Sequence, residues 1–125
     1  MSDNTPMTAE QVLAMEPGRE MDAYVAKYVK FPGHSHLISE VKEWCAKYST
    51  DISAAWEIVE KMQGIQVFNG KKVRLKVTVS AIRGIYTVII IDYRNDTVIA
   101  EQIGTTAPEA ICRAALLARL AGLNP

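Results

Sequence analysis

The sequence predicts an α+β fold in which a three-stranded antiparallel sheet carries helices on both faces, an α/β/α sandwich in the order α-α-(α)-α-β-β-β-α. Three observations predict it. Two helix openings, Tyr48-Ser49-Thr50-Asp51 running into ISAAWEIVEKM and Thr106-Ala107-Pro108-Glu109 running into AICRAALLARL, bracket the segments VRLKVTVS, IYTVIIIDY and TVIAEQI. Short connections between those segments favour an antiparallel meander over crossovers. The middle segment, Ile85 to Tyr93, is apolar on both parities, the pattern of a central strand covered front and back.

Each element has its own local reason. Thr8-Ala9-Glu10-Gln11 has the form of a capping box, with Met7 and Val12 placed as a hydrophobic staple. That helix ends at Pro17-Gly18, and a second follows over 19–30 with Met21, Tyr24, Val25, Tyr28 and Val29 on one face. Phe31-Pro32-Gly33 stops it. Over 34–47 helix and strand both stay open, and the helical spacing of Leu37, Ile38, Val41, Trp44 and Cys45 favours a third helix. The fourth, over 51–63, sets Ile52, Ala55, Trp56, Val59 and Met62 as its apolar stripe, with Gly64 as its stop. In the first strand Val73, Leu75, Val77 and Val79 alternate with Arg74, Lys76, Thr78 and Ser80. Arg83-Gly84 and Asn95-Asp96 supply the two turns, the latter as a two-residue hairpin loop. The last helix opens on a second capping box, Thr106 with Glu109, and presents Ala110, Ile111, Ala114, Ala115, Ala118 and Ala121 as a small-residue packing face.

At 125 residues the chain fits one domain, 1–125, with 1–7 expected to be a disordered tail. Its longest aliphatic run, Val88 to Ile91, is far short of the roughly 20 apolar residues that span a bilayer, so no membrane role is expected. The N-terminus lacks the basic and apolar regions of a signal peptide. Two cysteines, Cys45 and Cys112, are too few for a disulfide framework and read as small core side chains. Net charge is zero but uneven: residues 1–65 carry six basic and ten acidic side chains, and residues 66–91 carry five basic and none acidic.

That basic block is the main candidate site. Lys72, Arg74 and Lys76 share one strand parity, and Arg83 lies in the following turn. A helix over the whole of that face would bury three charges without partners, so part of the face is expected to be open. Such a strand can receive an acidic partner or phosphates, or use its charge to keep sheets from associating. Weaker candidates are anion sites at helix N-termini, Ser49 and Thr50 at one helix and Thr105 and Thr106 at another, where capping is the competing use of the same hydroxyls. His34 and His36 lack the spacing of a known zinc motif even with Cys45 and Cys112 added, so no metal and no cofactor is expected. No nucleophile-base pair or carboxylate dyad can be placed, so no catalytic residue is assigned.

Three strings, EPGREMDAYVAKYV at 16–29, YSTDISAAWEIVEKM at 48–62 and TAPEAICRAALLARL at 106–120, resemble the phage α/β/α-sandwich domain family; they cover 44 of the 125 residues. The resemblance implies a sheet between helices, a phage or prophage origin and residence in a bacterial cytoplasm. It brings no active site with it. The leading expectation is therefore a small accessory binding protein without catalysis, an inhibitor of a host defence system acting on a protein or small ligand. Its candidate contacts are the basic strand, Tyr86, Tyr93 and the 31–47 segment. One alternative is a nucleic-acid binder of double-stranded-RNA-binding order, although Pro108 and Glu109 stand where such domains set lysines. Another is an antitoxin-like domain, since IYTVIIIDY followed by GTTAPEAICRAALLA resembles the core of HicB-type antitoxins. A homodimer through an exposed strand edge is a further expectation.

Overall fold

Alternation of side chains along paired strands settles which surface of the sheet meets the helices. The computed structural model describes residues 7–31 and 37–124. It contains helices α1 (Ala9–Ala14), α2 (Arg19–Val25, continued by a π-helical segment Ala26–Lys30), α3 (Ile38–Trp44), α4 (Ile52–Met62) and α5 (Ala107–Ala121). The strands are β1 (Gly64–Phe68), β2 (Lys71–Ile82), β3 (Ile85–Asp92), β4 (Thr97–Gly104) and a two-residue β5 (Leu123–Asn124), arranged antiparallel in the order β4-β3-β2-β1-β5. The expected α+β class and meander are present, with β3 interior between β2 and β4.

Residues directly opposite one another in an antiparallel pair point to the same face. Val77 opposes Ile90 and Val79 opposes Val88, while Ile90 in turn opposes Ala100 and Val88 opposes Gln102. Val73, Leu75, Val88, Ile90 and Ala100 are buried, so this is the covered face. Helix α5 lies on β3 and β4, and α4 lies against α5 and β2. The alanines at 110, 114, 115 and 118 let α5 approach the strands closely, and all are buried. On the far side of α5 sit α1, α2 and the π-helical segment. Residues 21–26, from Met21 to Ala26, are all buried, as expected of a helix surrounded by others. Fully burying each Val, Leu or Ile of this core contributes about 1.5–3 kcal/mol.

One polar network ties the outer helices together. Asp22 and Ser49 are both buried. The Ser49 hydroxyl donates to Asp22 Oδ1 at 2.6 Å, and the Ser49 backbone N–H donates to the same oxygen at 2.7 Å. Gly18 N–H donates to Ser49 Oγ at 2.9 Å. Arg19 pairs with Asp22 Oδ2 at 3.1 Å and also donates to the carbonyls of Lys42 and Cys45.

Several expectations are corrected. Four long strands and a short fifth replace three, because Gly64–Phe68 pairs with Lys71–Leu75 through an Asn69-Gly70 turn whose residues both take positive φ, 50° and 81°. Helical cover was expected on both faces; the described helices lie against one, since the apolar parity of Ile89 and Ile91 is only half-buried and the same face exposes Ile65, Ile82, Ile85, Val98 and Ile103. The apolar run of β3 therefore reads as one face in the core and one facing outward. The β3–β4 loop has four residues, 93–96, between the paired Asp92 and Thr97, because Asp92 caps it by accepting from Arg94 N–H while its carbonyl accepts from Asn95 and Asp96. Thr106 caps α5, but Glu109 bonds the N–H of Thr105 instead of completing a capping box. The box at Thr8 and Gln11 is complete, with Met7 and Val12 both buried. In α4 the buried stripe is Ala55, Ile58, Val59 and Met62, and Ile52 and Trp56 are exposed. Residues 1–6 of the expected tail lie outside the described residues, and so do positions 34–36 of the expected third helix.

The two parities of β3 make a direct test. Ile90→Ala, on the covered face, is expected to cost about 2–5 kcal/mol of stability, and Ile89→Ala, its neighbour on the outward face, under about 1 kcal/mol. Urea denaturation midpoints of the two variants check this; equal losses would mean that both faces are packed.

Candidate docking face

The outward face of the sheet can be laid out row by row from the strand register. Ile65 on β1, Arg74 on β2 and Tyr93 just beyond β3 form one row, Tyr93 donating its backbone N–H to the Arg74 carbonyl at 2.7 Å. Lys76, Ile91 and Val98 form the next. Thr78, Ile89 and Glu101 follow, then Ser80, Thr87 and Ile103, and Ile82 with Ile85 close the sheet at its far end. Val67 and Lys72 stand at the opposite end. A β-bulge at Ile99 places Val98 on this face while Ala100 stays on the covered one.

The apolar exposure here is the anomaly. Ile82 is 72% exposed, Ile65 67%, Ile103 59% and Val98 53%. Single exposed apolar side chains are ordinary, but a contiguous patch larger than a few hundred Å² marks an interaction surface. Alongside it runs the basic row of Lys72, Arg74 and Lys76, all exposed and, among the described residues, without an ion pair. Alternate strand positions are about 6.8 Å apart, so neighbouring cations repel by only about 0.6 kcal/mol in water. That is small beside what burying the isoleucines would release, so the apolar contribution dominates the energetics of this face.

Between the two lies a concave region. A hollow of about 530 Å³ is lined by Ile65, Lys72, Val73, Arg74, Tyr93 and Arg94. A second, of about 440 Å³, shares Arg74 and Tyr93 with it and reaches Lys76 and Gly64. Arg94 is anchored by donating to the Lys72 carbonyl at 2.9 Å and lies 3.7 Å from the Asp92 carboxylate.

The remaining sequence candidates fall elsewhere. Arg83 occupies the β2–β3 turn, 11 positions from Lys72 and so roughly 35 Å away along the strand, outside the basic row. Tyr86 is on the covered parity and packs against the core. Ser49 is buried and engaged with Asp22, and the cap of α4 is Asp51, whose carboxylate accepts from the N–H of Ser53 at 2.8 Å. At α5 the N–H groups of Thr105 and Glu109 are taken by Glu109 and Thr106 respectively. At each helix start the chain's own side-chain oxygen thus takes up a backbone donor. Phe31 and Trp44 contact each other with ring centroids 6.0 Å apart, both largely exposed, so the 31–47 segment shows an aromatic pair at the surface. His34 and His36 lie outside the described residues; among those described no group of three or more metal-ligating side chains gathers.

The thiols are placed for packing. Burial pushes Cys112 well above its ordinary 9.0, with the Asp22 charge adding to the effect. Burial also raises Cys45 above 9.0, more than the nearby Arg19 lowers it. A nucleophilic cysteine requires the opposite shift.

Sequence reasoning missed Ile65 and β1 entirely, although Asn-Gly between two apolar runs is a strong hairpin signal. It also missed the role of Val98 and Ile103, because a strand of mixed pattern does not declare which parity faces outward.

A family model for the phage ABA sandwich domain matches residues 7–116. The chain belongs to that family. The crystal structure of a phage protein from Bacillus cereus ATCC 14579 is similar to it, with a TM-score of 0.53 and 25% identity over 84% of this chain and 93% of that one. A comparison with curated proteins finds no match. Among the described residues no helix is long and apolar enough to cross a membrane.

Thiol chemistry tests the cysteine placement. Both native thiols should react with a disulfide reagent far more slowly than free cysteine at pH 8, Cys45 speeding up as pH rises, and unfolding in guanidinium should release two fast thiols. A native thiol reacting at the free rate at pH 7 would overturn the packing assignment.

Proposed function

We propose that this member of the phage sandwich-domain family is an accessory binding protein without catalysis, which acts in the bacterial host cytoplasm by docking the outward face of its sheet onto a protein partner. One observation carries the reading: exposed isoleucine and valine side chains recur across one face of the sheet, among a few polar ones and beside an unpaired basic row, while the other face is packed. Raised thiol pKa values and helix caps supplied by the chain's own Asp51 carboxylate and Thr106 hydroxyl support a role in binding over one in chemistry. A component of a host defence system is the class of partner that a phage protein of this kind would meet to the phage's advantage.

A protein suits the face better than a nucleic acid. Single-stranded nucleic acids are held by aromatic platforms and duplexes by dense cationic tracks, and this face offers one tyrosine and three cations among aliphatic side chains. The helical order also differs from the double-stranded-RNA-binding pattern, with four helices ahead of the sheet.

Affinity capture from host lysate is the test. The protein should retain a specific partner that is lost when Lys72, Arg74 and Lys76 are changed to Glu, and lost again with Ile89→Asp. An unchanged set of captured proteins in both variants would overturn the docking reading; retention of RNA or DNA that falls steeply with salt would replace it with a nucleic-acid function.

A further inference from the structure

We infer that the occupant of this face is an amphipathic helix of a partner protein, apolar along one stripe and acidic along one flank of one half. This rests on the docking reading and specifies its partner.

The length and shape follow from the strands. β3 has eight residues and spans about 26 Å, which is roughly 17 residues of helix. A helix or a second sheet can pack face-on against a sheet; a single helix, with one apolar stripe, suits the narrow band of isoleucines along β3 flanked by cations on one side alone. Laid along β3, its stripe meets Ile85, Thr87, Ile89 and Ile91 directly, with Val98 and Ile103 beneath one shoulder. With a diameter of about 10 Å against a strand spacing of about 4.8 Å, its other shoulder overhangs β2.

Charge then fixes the flank and the end. The β2 shoulder meets Lys76, Arg74 and Lys72 beside Ile91 and Tyr93, but Thr78 and Ser80 beside Ile89 and Thr87. Acidic residues are therefore favoured on that flank only in the half nearest Tyr93. On the β4 shoulder Glu101 stands opposite Ile89 and disfavours acid there. A second copy of this chain does not supply that pattern. Two outward faces stacked together bring three cations and one acid from each side; stacking β2 on β2 in parallel sets the basic rows against each other, and in antiparallel sets them on Thr78 and Ser80, which offer no acid. An anionic membrane matches the cations and the isoleucines. However, the same flat face carries Thr78, Ser80, Thr87 and Glu101, whose polar groups find no partners in an acyl layer.

Synthetic peptides of 18 residues test this, with a leucine stripe and three glutamates on one flank of one half, against the same peptide with lysines in place of the glutamates. The glutamate peptide should bind the intact protein at least tenfold more tightly in calorimetry. Lys72→Glu, Arg74→Glu and Lys76→Glu together should reverse that preference. Ile91→Asp should abolish binding of both peptides while leaving the urea midpoint close to that of the parent protein. Amide shifts on binding should concentrate on residues 85–93 and 98–103 and spare α2. Binding to neither peptide, equal binding to both, or shifts confined to the helical side would overturn the inference. So would self-association of the free protein at the concentrations used, or binding to vesicles containing phosphatidylglycerol that exceeds binding to the peptide. If lysate capture still depends on Lys72, Arg74 and Lys76 while both peptides fail, the docking face stands and the helical occupant falls.

Discussion

A sheet has two faces, and this chain invests its helices in one of them. Everything else follows from how tightly that side is closed. α5 is studded with alanines, so its axis can come near the strands, and its buried residues face the sheet on one side and α1, α2 and the π-helical segment on the other. Two helical tiers therefore share a single core with the strands. The remaining face of the sheet keeps its aliphatic side chains and has no segment of the described chain to cover them. Its exposure follows from the topology, because β1 to β4 form one meander with no helix between them, and α5, the helix that joins β4 to β5, lies on the covered face.

The upper tier of helices lacks a sheet to rest on; it packs its apolar side chains on α5, and a buried polar cluster ties its segments to one another. Asp22, buried between α2 and the segment leading to α4, accepts two hydrogen bonds from Ser49 and faces the guanidinium of Arg19. A buried carboxylate is costly unless it is matched in this way, and removing one partner leaves the others exposed to that cost. Arg19 extends the tie by reaching the carbonyls at the end of α3. The site is structural: the serine that opens a helix in the sequence is consumed by the cluster, and a neighbouring aspartate does the capping.

Much of the fold was legible in the sequence where a residue has one dominant use. Thr8 with Gln11, Thr106, Asp51 and the Arg83-Gly84 turn act locally, and each marks an element where it was expected. Distance along the chain limits the rest. The basic row could be read from strand parity, since Lys72, Arg74 and Lys76 must share a side; its aliphatic neighbours could not, because Ile65, Val98 and Ile103 join them only through register. Ile89 and Ile91 misled for a physical reason. An isoleucine beneath a helix and an isoleucine on an uncovered face are the same letter, and periodicity cannot separate them. Asn95-Asp96 misled differently: Asp92 draws the loop backbone onto itself and lengthens it to four residues.

The bulge at Ile99 affects more than the strand it interrupts. β4 is the outermost strand on its side, and a long regular margin would be a template on which other chains could zip. One surplus residue breaks the comb of donors and acceptors and adds local twist. A bulged border is a poor template for fibril growth, so the aliphatic face is not flanked on that side by a regular strand edge.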